Sequence, residues 1–389
     1  MSEQNLEQLN HSPQPEQAGV MPDIPRSREM FRGDINGAVI QTQLSTGVDE
    51  TEDAGHNGED MNRQKEVVAW ESYVPIGSNA YKQANAKRIE GGKIEVDELG
   101  EGHSITLVAS VKVDPETGQA ISGHENRPDA ESMRDTEQAF ADYLAATPAE
   151  QRFLVYEGDK RVFDNRDEAI TKAADSGLVQ HLAAKEHIPT VSGEPTEAET
   201  TAIMERLGVN QKELLALYVA RGLESQLTNG EADFLAGYIY SQAARLGMEG
   251  FHNYSESEKQ EILASGKLDE LKAELNQKVS ELLPTLNELY RPNLDSKDLL
   301  VAAEDGSIGV NPEFADNIAE ITMDRLNWSG EHRLNEVAKL SMEMRDRVIF
   351  HRVLEAYNSG KNPFVVYGGS HIVTLKPALQ AYSERQQNS

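Results

Sequence analysis

Cysteine is absent from the 389 residues, which excludes a disulfide framework, a thiol nucleophile and thiolate metal sites, and fits a reducing compartment. Basic side chains are few beside acidic ones, 37 against 66, for a formal net charge of −29. A surface of that sign repels phosphate backbones and anionic lipid heads, so nucleic acid and membrane surfaces are not expected as partners. No stretch approaches the roughly 18 continuous apolar residues of a membrane span. The opening residues, Met1-Ser2-Glu3-Gln4-Asn5-Leu6, have neither the basic start nor the apolar core of a secretory signal. The expectation is a cytoplasmic protein. Catalytic signatures are also missing: there is no His-Glu-x-x-His, no Gly-x-Gly-x-x-Gly after a strand and no Walker A loop.

Residues 1–68 are polar, with no apolar period, and read as a disordered acidic tail that cannot bury enough surface to offset the entropy of ordering. Its acidic patch, Asp49 to Asp53, reads as a solvated linker rather than a docking segment. Residues 69–102 form a lead-in of weak pattern, to which no chemistry is assigned. The remainder, 103–384, carries the fold.

Phe364-Val365-Val366-Tyr367-Gly368-Gly369-Ser370-His371 is the most informative stretch. Four apolar residues read as a strand buried on both faces, and the glycines permit a sharp turn that delivers Ser370 and His371 to its carboxyl end. Three earlier runs repeat the plan. Ile105 to Val111 leads to Lys112, Phe153 to Tyr156 leads to Glu157, and Ile188 to Val191 leads to Ser192-Gly193-Glu194-Pro195. A helix over 166–186, with a break at Ser176-Gly177, joins the second and third strands as a βαβ unit. That makes them parallel and puts Glu157 and Glu194 at one sheet edge. Between about 196 and 358 the pattern is almost wholly helical, including a leucine stripe from Leu268 to Leu282 that Pro284 is expected to end. The fold class is therefore α/β, a mainly parallel sheet with flanking helices and a large helical insertion before the last strand.

Glu157, Glu194 and His371 at one edge suit two chemistries. Facing carboxylates repel, so one holds a proton as general acid while the other acts as base, with His371 activating water or stabilising an oxyanion. The same three residues are also a permissible ligand set for a divalent metal. Each has a bland reading as well: a glutamate after a strand is often a helix first-turn residue, and Glu194-Pro195 suits a helix start. Arg345-Asp346 either supplies a buried arginine that clamps a substrate carboxylate or orients Glu157 through a bidentate bond, or is an exposed pair among Glu343, Arg345, Asp346 and Arg347, and spacing favours the exposed pair. Ser370 beside His371 does not make a nucleophile and base pair, because adjacent side chains diverge. His181 and His187 read as packing or surface residues, whereas His103 and His124 flank the first strand.

Together these motifs, with Asp167-Glu168-Ala169-Ile170 and Met344-Arg345-Asp346, resemble the TraB/Tiki/ChaN and erythromycin-esterase-like superfamily over about 105–379. The resemblance implies an α/β core with inserted helices and a site of Gly-x-x-His motifs and glutamates, in proteins described as metal-dependent proteases, esterases or haem-binding proteins. By it Glu157, Glu194 and His371 match motif positions and Arg345 an Arg-Asp pair, and these four are expected to be catalytic; Lys112, Asp346 and Ser370 are expected to bind substrate. One departure is that Ala109-Ser110-Val111-Lys112 stands where the pattern puts a first Gly-x-x-His. Protonated lysine has no lone pair for a metal. The resulting expectation is a hydrolase acting on an ester or amide of a small molecule or peptide. The alternative is a non-catalytic ligand- or haem-binding relative.

Overall fold

The computed structural model describes residues 64–91, 94–100, 102–113, 120–121, 125–228, 235–328 and 330–387. Nearly all of the expected tail, most of the loop after the first strand and His124 lie outside them. The described residues form two compact units: Thr196–Met342, and a second made of those up to Pro195 together with those from Glu343 onward.

The sheet unit contains, in chain order, α1 (Asn79–Gly91), β1 (Glu95–Leu99), β2 (Ile105–Ser110), β3 (Lys112–Val113), β4 (Ala120–Ile121), α2 (Glu131–Ala146), β5 (Arg152–Tyr156), α3 (Arg166–Lys185) and β6 (Thr190–Ser192). The helical unit supplies α4 (Glu197–Arg206), α5 (Gln211–Thr228), α6 (Leu235–Arg245), α7 (Glu256–Ser265), α8 (Leu268–Tyr290), β7 (Leu300–Ala302) and β8 (Ile308–Val310). Then α9 (Arg333–Asn358) leads to β9 (Asn362–Gly368) and α10 (Gly369–Gln387).

Five strands form the main sheet in the order β1-β2-β9-β5-β6. The pairs β2–β9, β9–β5 and β5–β6 are parallel, and only β1 is antiparallel. The βαβ reading of β5, α3 and β6 therefore holds. All seven residues of β9 are buried, as its continuous apolar run requires at the centre of a sheet covered on both faces. Alternation splits its side chains. Phe364 and Val366 pack with Phe140, Tyr143 and Val179 of α2 and α3. Val365 and Tyr367 pack with Ile349, Phe350 and Val353 of α9 and Ile372 and Leu375 of α10. Phe364 is fully buried, with its ring 5.3 Å from that of Phe140. Truncating it removes both transfer energy and packing, so Phe364→Ala is expected to cost about 3–5 kcal/mol in urea denaturation.

Several local expectations change. Pro284 lies inside α8 rather than ending it. It is on the exposed face, where the carbonyl it deprives of a partner can bond water. Pro195 precedes the helix, and Thr196 caps α4 in a reciprocal box with Glu199. The interruption of α3 is at Ala173–Ala174, not at Ser176-Gly177, and Ala174 has φ 53°. The weak lead-in contributes α1 and the edge strand β1, both absent from the sequence reading. The helical region gives way to the sheet unit at Glu343 rather than near 358, because the second half of α9 packs on the sheet. Within the helical unit, a β7–β8 hairpin breaks the all-helical pattern, and Asn287 of α8 bonds the backbone of Leu299 and Leu300 beside it. Among the described residues no helix is long and apolar enough to cross a membrane.

Candidate active site

Register sets the site. Tyr156 stands opposite Val366 and Ser192, and Ser110 opposite Gly368, so β2, β9, β5 and β6 end at one edge. In parallel α/β sheets this carboxyl edge is where ligands bind. Glu157 follows β5 directly, and its amide donates to the Val366 carbonyl at 3.2 Å. Its carboxylate turns back across the sheet, Oε2 accepting from the Gly368 amide at 2.8 Å.

Glu194 stands in the bend after β6. The Gly193 amide donates to Tyr156 O at 2.9 Å, the Glu194 amide donates to Ser192 Oγ at 3.2 Å, and Arg352 donates to the carbonyls of Ser192 and Glu194. The bend is thus pinned before the side chain makes any contact. Both Glu194 carboxylate oxygens then accept from Arg345, from Nε at 2.9 Å and Nη2 at 2.9 Å. The same Nη2 lies 3.6 Å from Glu157 Oε1. Arg345 therefore clamps Glu194 in a bidentate geometry, where the sequence offered Glu157 as the alternative to an exposed charge pair. Where two facing glutamates were expected to share a proton, they share a guanidinium. Burial works against the Arg345 charge, but Glu194 and then Glu157 overcome it and hold its pKa above the ordinary arginine value.

Asp346, the next residue on α9, is fully buried, contrary to the exposed pair that spacing favours. His371 is also fully buried, one turn into α10, with Nδ1 2.5 Å from Asp346 Oδ1. Tyr73 donates to Asp346 Oδ2 at 2.6 Å. Burial first, then the Asp346 charge, keeps the Tyr73 hydroxyl protonated well beyond the ordinary tyrosine range. Asp346 accepts from Tyr73 through Oδ2 and from His371 through Oδ1, which puts the histidine proton on Nδ1 and leaves a lone pair on Nε2. Burial lowers the His371 pKa, but the Asp346 charge and hydrogen bond outweigh it, and the net direction is upward. Glu157 and Arg345 are near enough to bias the same titration. Nε2 itself is buried and has no hydrogen-bond partner among the described residues.

The structure thus brings Glu157, Glu194, Arg345, Asp346 and His371 into one electrostatic cluster. Ser370 is half-buried in the first turn of α10 and makes none of these bonds. Lys112 is half-buried on the short ribbon of β3 and β4, just beyond the end of β2. His103 does not approach the site: its Nε2 lies 2.8 Å from Tyr357 O, at the amino ends of the strands. Tyr73, from the lead-in, was missed by the sequence reading because no periodic signal surrounds it. Tyr367 and Arg352 were also missed, although alternation along β9 assigns Tyr367 to the same face as α9. A further contact explains Gly193, since a Cβ there would come within 2.1 Å of Tyr367 Oη. Gly193→Ala is expected to lower the melting temperature, and Tyr367→Phe in the same chain to restore part of the loss.

No three His, Asp or Glu side chains among the described residues gather as a metal-ligand set. Glu194 gives both oxygens to Arg345, and Glu157 accepts from an amide, so the Glu, Glu and His donors do not fit a metal in this arrangement. Compared with family models, curated proteins and solved structures, the chain matches none of them.

Proposed function

We propose that the sheet unit is a hydrolase in which His371 acts as general base on a water that attacks an ester or amide carbonyl of a small molecule or peptide. The observation that carries this reading is the Tyr73–Asp346–His371 chain, which ends in a buried Nε2 without a partner. A histidine serving only to tie helices together would have both ring nitrogens satisfied, as buried polar groups ordinarily are. Here one side is fixed by two successive hydrogen bonds and the other is left able to accept a proton.

In the first step the water oxygen bonds to the carbonyl carbon, its proton passes to His371 Nε2, and the carbonyl π pair moves to oxygen. In the second that pair re-forms the carbonyl and expels the alkoxide or amine, which takes the proton back from Nε2. Asp346 keeps its hydrogen bond to His371 Nδ1 throughout and stabilises the imidazolium. Glu157, between the Gly368 amide and Arg345, positions the water or the leaving group at the strand edge, while Arg345 supplies positive charge where the oxyanion forms. The order of motifs that resembles the TraB/Tiki/ChaN and erythromycin-esterase-like superfamily supports the same class of reaction.

Glu157→Gln keeps the shape and removes the charge. Under this reading it should cut turnover of p-nitrophenyl acetate sharply, and full activity in that variant would remove Glu157 from the site. If the unit instead binds a ligand without chemistry, the wild-type protein will show no turnover that depends on either Glu157 or His371.

The pH dependence follows from the upward shift of His371. The base must be neutral to work, so kcat/KM should rise with pH along a limb centred above the ordinary histidine value of 6.5, and Asp346→Asn should move that limb downward. Stability has the opposite sign. Because the folded value exceeds the unfolded one, the pair stabilises the fold fully below about pH 6.5. That contribution is lost as pH rises through the folded value.

A further inference from the structure

The hydroxyl of Tyr367 is the second buried polar atom of this cluster, after His371 Nε2, with no hydrogen-bond partner among the described residues. Tyr367 is fully buried, and its Oη makes no hydrogen bond among the described residues. It stands beside the site: its ring is 5.6 Å from that of His371 in an edge-on arrangement, and its hydroxyl points to the Gly193 bend that presents Glu194. Two orphaned polar atoms in one cluster, one an acceptor and one a donor, are unusual in a protein interior.

The local sequence has accommodated this hydroxyl. Phenylalanine at 367 would fill the same apolar face against Ile349, Phe350 and Ile372 with no polar atom to satisfy. The hydroxyl instead occupies the space that a side chain at 193 would take. Its ionisation is suppressed by burial, then by the charges of Glu194 and Glu157, so it remains a donor across the working pH range. It cannot replace His371 as the base.

Resting on the hydrolase reading above, we infer that Tyr367 is a catalytic residue that donates its hydroxyl hydrogen bond to the carbonyl oxygen of the substrate, stabilising the oxyanion while His371 deprotonates the attacking water. The proton of Tyr367 stays on its own oxygen throughout, and no bond to tyrosine forms or breaks. Donor and base then approach the scissile carbonyl from one strand and the helix that follows it.

The test compares wild type, Tyr367→Phe and His371→Asn in the full chain, reading kcat and KM for p-nitrophenyl acetate together with melting temperature. Loss of one preorganised oxyanion donor is expected to lower kcat by about 10²–10³-fold, with KM within about twofold of wild type, as expected for an interaction made only in the transition state. The melting temperature should be unchanged or higher, because an unsatisfied buried hydroxyl has been removed. Loss of turnover in His371→Asn with full kcat in Tyr367→Phe would overturn this inference alone. Absence of any turnover that depends on His371 would overturn the hydrolase reading and this inference with it.

Discussion

Replacing His371 by Asn is expected to lower kcat for p-nitrophenyl acetate by about 10²–10⁴-fold, the usual contribution of a positioned general base. Asparagine can still bond Asp346 through its amide, so the helix contact is largely kept while the basic lone pair is lost. The comparison with Asp346→Asn then separates base from support. That variant keeps the imidazole but no longer fixes its tautomer or stabilises its charged form, since the Tyr73 hydrogen bond persists while the carboxylate is gone. A smaller loss is expected, accompanied by a shift of the pH profile that His371→Asn cannot show.

The second large effect is on stability. Arg345 is 12% exposed and sits between Glu194, 19% exposed, and Glu157, 3% exposed. Arg345→Met leaves two carboxylates facing one another at the sheet edge with their shared cation gone. Removing one partner of a buried ion pair typically costs about 3–5 kcal/mol, and the partial exposure of Glu194 places the expected loss near the lower end of that range. Urea denaturation measures it. Glu194→Gln in the Arg345→Met background should recover a substantial part, because the penalty lies in the uncompensated charge. A loss unchanged by the second substitution would locate the cost in packing instead.

Four of the five sheet strands were legible, β2, β5 and β9 as nearly continuous apolar runs, whereas β1, Glu95-Val96-Asp97-Glu98-Leu99, is mostly charged and was not. The end of the Phe153–Tyr156 run then placed Glu157, and the turn at Gly368-Gly369 placed His371, at strand ends. Glu194 was placed through the βαβ geometry, which holds in the parallel pairing of β5 with β6. What connects these residues was less legible. Arg345 and Asp346 stand among Glu343 and Arg347, and a run of charges reads as a solvated face. The contrary signal lay further along α9, where Ile349, Phe350 and Val353 set a buried face that extends back one turn to Asp346. Tyr73 gave no signal, since its contact is made 273 positions away in the chain and its own segment has no strong period. Pro284 misled for a different reason: a proline removes a hydrogen bond from a helix, but on an exposed face tertiary packing and solvent together tolerate it.

The most direct test of the account is the tautomer and titration of His371, followed by nitrogen-resolved NMR in wild type and Asp346→Asn. The account predicts a neutral form protonated at Nδ1, with Nε2 carrying the lone pair, a pKa above 6.5, and a fall in that value when the carboxylate is removed. A neutral form protonated at Nε2, or a pKa that Asp346→Asn leaves unchanged, would contradict it.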